Sequence, residues 1–190
     1  MTPRMRFSAR LLAVLPALWL AAGCASGPYS AEVSLSEEAV HSPRIPFSYR
    51  VPEGWFDTSS GQDSTRSLVW LVRRDYGATI AVREIVLDPE ARRQLSGDRE
   101  RMIAELSLGL AAGNPSTLVL TPLEAVSVPR GDGYAFEQAN TATGDTTRVV
   151  VFGTDGRVFE VQALLVGGQR GVLRESVFSA QRRFVEGLRW

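Results

Sequence analysis

Two apolar, β-rich runs, Thr147 to Phe152 and Arg157 to Leu165, are separated by Gly153-Thr154-Asp155-Gly156, and this arrangement constrains the fold more than any other stretch. In the second run Phe159, Val161, Ala163 and Leu165 recur every other residue, the period of a strand with one buried face. Asp-Gly favours the positive φ angles of a tight hairpin turn whose twist matches its flanking strands. The chain is thereby committed to antiparallel pairing near its C-terminus, and the other elements must cover that sheet.

Strand patterns continue upstream. Phe47 to Val51 reads as a short strand leading into the turn Pro52-Glu53-Gly54-Trp55. Leu68 to Val72 is continuously apolar and reads as a strand buried on both faces, with Trp70 in the core. Tyr76-Gly77 joins it to Ala78 to Val86, in which Ile80, Val82 and Val86 share one side. Leu118 to Val128 contains Pro122, which has no N–H to donate, so it is expected at a sheet edge. Beyond Gly131-Asp132-Gly133, residues Tyr134 to Ala139 alternate again.

Two stretches have helical period. Asp98 is placed to cap a helix in which Met102, Ile103, Leu106 and Leu110 form an inward stripe, stopped by Gly113-Asn114-Pro115. Leu173 to Leu188 carries Val177, Phe178, Phe184, Val185 and Leu188 on one face and Arg174, Glu175, Arg182, Arg183 and Glu186 on the other. The expected class is α+β: an antiparallel sheet of about six strands with helices packed on its faces.

The N-terminus carries a different message. Arg4, Arg6 and Arg10 precede an apolar run from Leu11 to Leu20, followed by Ala21, Ala22, Gly23 and Cys24. A dozen apolar residues fall short of the roughly 20 that span a bilayer as a helix, and the order matches a secretory leader. Cys24 is the only cysteine, so it has no disulfide partner within the chain. Leu20-Ala21-Ala22-Gly23-Cys24 resembles the lipobox of bacterial lipoproteins, which implies cleavage between Gly23 and Cys24 and acylation of Cys24. Ala25 follows where an Asp would resemble an inner-membrane retention signal, so the expected location is the periplasmic face of the outer membrane. Residues 1–23 then form the signal peptide, residues 24–45 the lipidated cysteine and a flexible tether, and residues 46–190 a single domain.

The 21 basic residues are all Arg; removing the leader takes three of them and no acid, leaving 18 against 21 carboxylates with the signs interspersed. No basic patch for nucleic acid is present. His41 is the only histidine and falls in the tether segment, so a Ser-His-Asp triad, a Cys-His pair or a multi-His metal site lacks its components. Asp88 with Glu90 and Asp98 with Glu100 read as helix-start charges rather than catalytic pairs. Arg130-Gly131-Asp132 reads as a turn, and neither glycine-rich turn has the spacing of a phosphate loop. No catalytic residue, metal site or cofactor is expected. Trp55, Phe56 and Trp190, at element ends, are the candidate partner-facing aromatics.

Phe47 to Trp55, the order of strands and helices, and the terminal helix with Phe178, Phe184 and Leu188 together resemble the PsbP-like superfamily over roughly residues 46–190. The resemblance implies an α/β/α sandwich and a binding or assembly role, with no shared active site to transfer. The expectation is a lipid-anchored, non-catalytic envelope lipoprotein that binds or helps assemble a protein complex. The alternative is a carrier holding a small molecule or lipid in an apolar cavity between sheet and helix.

Overall fold

The computed structural model describes residues 33–60, 67–95, 97–167 and 172–190. The leader, Cys24 and the first part of the expected tether lie outside the described residues.

The chain order is β1 (Leu35–Val40), β2 (Tyr49–Pro52), β3 (Trp55–Asp57), β4 (Val69–Arg73), β5 (Ala78–Ile85), α1 (Pro89–Gln94), α2 (Arg99–Gly113), β6 (Thr117–Val128), β7 (Gly131–Asn140), β8 (Thr146–Thr154), β9 (Arg157–Leu165) and α3 (Val172–Glu186). Seven strands form one antiparallel sheet in the order β3-β4-β5-β9-β8-β7-β6, one more than the sequence count of about six. The additional strand is β3, three residues long, whose Trp55 pairs with Arg73. Three residues carry too little alternation to register as a strand.

The hairpin that anchors the fold forms as its sequence requires. Thr154 pairs with Arg157, leaving Asp155 (φ 50°) and Gly156 (φ 75°) as a two-residue loop with both angles positive. β9 then runs through the middle of the sheet, pairing Ala78 of β5 with Leu165 on one side and Thr146 of β8 with Leu165 on the other. β6 lies at the edge, and its pairing with β7 shifts register on both sides of Thr121, next to Pro122. Irregular pairing and a proline blunt an edge that would otherwise invite a further strand.

Each face of the sheet has its own core. On one, Val69, Leu71, Ile80, Val82, Phe159, Val161 and Ala163 pack with Val177, Phe178, Phe184 and Val185 of α3. On the other, Phe136, Val149, Val151 and Val158 pack with Ile103 and Ala104 of α2, which crosses β6, β7 and β8. Among the described residues the main contacts of α2 are with β6, β7 and β8, not with β4. Trp70 and Val72 are only half-buried, contrary to the expectation of a strand buried on both faces with Trp70 in the core. Val86 lies past the end of β5 and is exposed, although its parity matches Ile80 and Val82.

Residues 35–40, assigned to the tether by composition, form β1 and pair with β2, Ala39 opposite Arg50 and Val40 opposite Tyr49. Ile45 is buried, and Val33 and Val40 pack against the α3-side core. The ordered fold therefore includes residues before position 46. Ser-Glu-Glu between Leu35 and Ala39 masks the strand in the sequence, and backbone pairing with β2 together with the packing of Val40 stabilises it.

Charge pairs tie neighbouring strands together. Arg157 on β9 donates through Nε and Nη2 to Glu84 of β5 at 2.9 and 2.5 Å. That fork holds the Glu84 carboxyl below its ordinary value despite partial burial. A depressed carboxyl contributes stability above the unfolded pKa and loses it as pH falls through the folded value. Glu84→Gln is therefore expected to lower stability by about 1 kcal/mol at neutral pH, with the difference from wild type vanishing in acid, as read by urea titrations at the two pH values.

Candidate functional site

The expected partner-facing aromatics do not converge. Trp55 is 7% exposed and belongs to the α3-side core, so it is unavailable to a partner. Its neighbour Phe56 points to the other side of β3, half-buried, edge-to-face with Tyr76 at 5.9 Å. Trp190 is half-buried, packs on Phe47 and Phe152 at 5.8 and 6.5 Å, and has the Arg130 guanidinium 5.5 Å from its ring centre. Alternation along a strand explains the first two: adjacent residues face opposite ways, so Trp55 and Phe56 could never share a surface. Gly23 and Cys24 lie outside the described residues.

The carboxylates near the helix starts act as caps. Asp88 Oδ1 accepts from the N–H groups of Glu90 and Ala91, with Pro89 opening α1. Asp98 Oδ1 accepts from the Arg101 N–H, while its other oxygen accepts from the Tyr134 hydroxyl at 2.6 Å. A donated hydrogen bond to a carboxylate raises the Tyr134 pKa, which suits a structural tie rather than a proton shuttle. Arg130 and Gly131 sit at the β6–β7 turn, where Gly131 has φ 137°.

One exposed apolar surface among the described residues is a face that the helical periodicity assigns to the core. The sequence places Met102, Leu106 and Leu110 inward with Ile103. The structure buries Ile103 and Ala104 and leaves Met102, Leu106 and Leu110 at 38%, 59% and 79% exposure. The helix is apolar on two faces, and the one turned inward carries the small Ala104, whose size suits close approach of the backbone to the sheet. Ile103, Ala104, Leu108 and Ala111 form a second apolar stripe, which periodicity does not rank against the first.

The outward face lines a shallow recess of about 540 Å³, together with Gln94 and Leu95 at the end of α1. Gly109 lies in its floor, and a Cβ added there would meet nothing within 4 Å. Glu105 is the sole ionisable residue lining it and is held by Arg101 at 2.9 Å. The recess thus offers apolar ridges, a gap between them and little charge. Its chemistry suits docking of another apolar surface, not proton transfer or metal binding.

A second recess, about 160 Å³, lies between β6, β8 and α3. Arg148 of β8 lines it with its side chain 5% exposed. Burial, then the nearby Arg182 charge, pulls the Arg148 pKa down, while Glu124 and Glu137 act in the opposite direction. The recess is too small for a lipid chain or a drug-sized molecule, whose pockets run to roughly 300–1,000 Å³, and Arg148 and Arg182 both line it. It does not supply the apolar lipid cavity that the carrier alternative requires.

No family model matches the chain, and no curated protein sequence does. Solved structures do. The chain is similar to cyanobacterial PsbP (CyanoP) from Synechocystis sp. PCC 6803, with a TM-score of 0.52 and 12% identity over 88% of this chain and 98% of that one. It is also similar to the Ran-binding protein Mog1p of Saccharomyces cerevisiae, with a TM-score of 0.54 and 11% identity over 82% of this chain and 95% of that one. A further likeness is to LpqN of Mycobacterium tuberculosis, a protein involved in cell envelope biogenesis, with a TM-score of 0.50 and 16% identity over 82% and 90% of the two chains. The fold is PsbP-like, as the order of its elements implies. At these identities the likeness is one of fold.

Proposed function

We propose that this PsbP-like domain is a lipid-anchored, non-catalytic module of the cell envelope that binds a protein partner through the outward face of α2. The observation that carries the reading is the exposed Met102-Leu106-Leu110 ridge on a helix whose opposite face already completes a core. Exposed apolar surface of this kind marks interaction sites. Residues at i, i+4 and i+8 flanking a gap at Gly109 present the pattern into which an amphipathic helix docks.

A protein fits this surface better than a lipid. From Asp88 to Gly113 the chain carries five carboxylates and four Arg, whereas helices that lie in a membrane interface present an excess of basic residues. Similarity to LpqN, involved in cell envelope biogenesis, and to the Ran-binding Mog1p supports an envelope setting and a binding role. The lipobox-like Leu20 to Cys24 supports attachment through acyl chains, on the periplasmic face of the outer membrane.

Leu110→Arg tests the surface, because 79% exposure means that it leaves the fold within about 0.5 kcal/mol of wild type. A photocrosslinker at Leu106 is expected to join the protein to one identified envelope protein, and Leu110→Arg is expected to abolish that adduct. An adduct unchanged by Leu110→Arg, or crosslinks to phospholipid alone, would overturn the reading. The anchor has its own test: Cys24→Ser is expected to release a folded protein from the membrane fraction, and retention there would count against lipid attachment.

A further inference from the structure

We propose that the recess between β6, β8 and α3 binds a short aliphatic carboxylate. Its walls are Val126, Val150 and Val185, and its polar groups are Ser127, Arg148 and Arg182 with Glu186 at the side. Apolar walls around paired cations suit a small organic acid, whose tail fills the space that a fully hydrated inorganic anion would leave uncontacted.

Arg148 is held ready for such a ligand. Gln181 of α3 is completely buried and accepts from Arg148 Nη1 at 3.0 Å, while its own Nε2 donates to the carbonyls of Arg148 and Val161 at 3.0 and 2.8 Å. These bonds fix one corner of the guanidinium and leave Nη2 and Nε facing carboxylates at 3.6 Å (Glu124) and 3.9 Å (Glu137). Both separations exceed the 2.7–3.2 Å of a well-formed N–H···O hydrogen bond, so neither carboxylate fully satisfies its donor.

The local charges do not cancel. Glu137 is already paired to Arg174, and Glu186 lies 3.5 Å from Arg183. Arg182 has no ion pair among the described residues, and its charge bears on Arg148. The recess is thus lined by two guanidiniums and one carboxylate, Glu186, and the carboxylate nearest Arg148, Glu124, is more than half exposed. A carboxylate entering the recess supplies the missing negative charge and two oxygens matched to the planar N–H groups of arginine.

Isovalerate is the probe, with isovaleramide as its neutral counterpart, followed by saturation-transfer NMR on the purified protein. Isovalerate is expected to bind saturably and isovaleramide about tenfold more weakly or worse, the difference a charge-assisted hydrogen bond makes. Arg182→Gln, at an exposed position that leaves the core intact, is expected to weaken isovalerate binding by about tenfold. Glu124→Gln is expected to tighten it, because a competing carboxylate is removed, an effect that a purely structural Arg148 would not produce. Equal affinity for acid and amide, or isovalerate binding unaffected by Arg182→Gln, would overturn the proposal. So would the absence of saturable binding, or inorganic phosphate binding more tightly than isovalerate.

Discussion

Replacing Phe159 by Ala is expected to lower the free energy of unfolding by about 3–5 kcal/mol, the largest loss from any single truncation discussed for this protein. Phe159 is completely buried on β9, the strand that joins the β3-β4-β5 half of the sheet to the β6-β7-β8 half. Its ring stacks on Phe152 at 5.6 Å and meets Phe47 edge-on at 5.3 Å, and the Arg157 guanidinium covers it at 5.1 Å. Removing it leaves a cavity that backbone paired on both sides cannot close, and the aromatic contacts add to the lost transfer energy. Urea unfolding followed by tryptophan fluorescence checks the value, with a Tm drop of roughly 10 °C for a domain of this size. A loss below about 1 kcal/mol would mean that the aromatic cluster is not packed as described.

Gln181→Leu is expected to cost roughly 3 kcal/mol, although it places an apolar residue on an apolar helix face. The amide is the one polar group in the α3 stripe and is wholly withdrawn from water. Leu would leave Arg148 Nη1 without its acceptor and two strand carbonyls without an additional donor. An unsatisfied buried group forfeits its hydration with no bond in return, and the penalty grows when the group is charged. The same urea assay distinguishes this from a hydrophobic gain: a stabilised variant would show that Arg148 finds another acceptor. If isovalerate occupies the recess as proposed, Gln181→Leu also weakens its binding, because the guanidinium loses the contact that orients it.

Much of the scaffold was legible in the chain because its signals are local. Asp155-Gly156 closes the β8–β9 turn, Asp98 caps α2, Pro122 lies on the edge strand, and Val177, Phe178, Phe184, Val185 and Leu188 face inward from the C-terminal helical segment. Each follows from the backbone preferences of one residue or the period of one segment. Where such a signal was weak, the reading failed: β1 has two glutamates among its six residues, and β3 is too short to show a period.

The surfaces belong to a different level. Two faces of α2 are apolar, and intrinsic periodicity could not rank them; contact with β6, β7 and β8 selected the one carrying Ile103 and Ala104, exposing Met102, Leu106 and Leu110. Trp55 is buried and Trp70 only half-buried for the same reason, since burial depends on which part of the sheet a helix covers. Arg148, Gln181 and Arg182 were unremarkable letters until β8 and α3 came together. Sequence alone determined the caps, the turns and the strands with a clear period, because these depend on neighbours along the chain. Tertiary structure alone decided which faces meet water and which charges lack a counterpart, because those depend on neighbours brought together from distant parts of it.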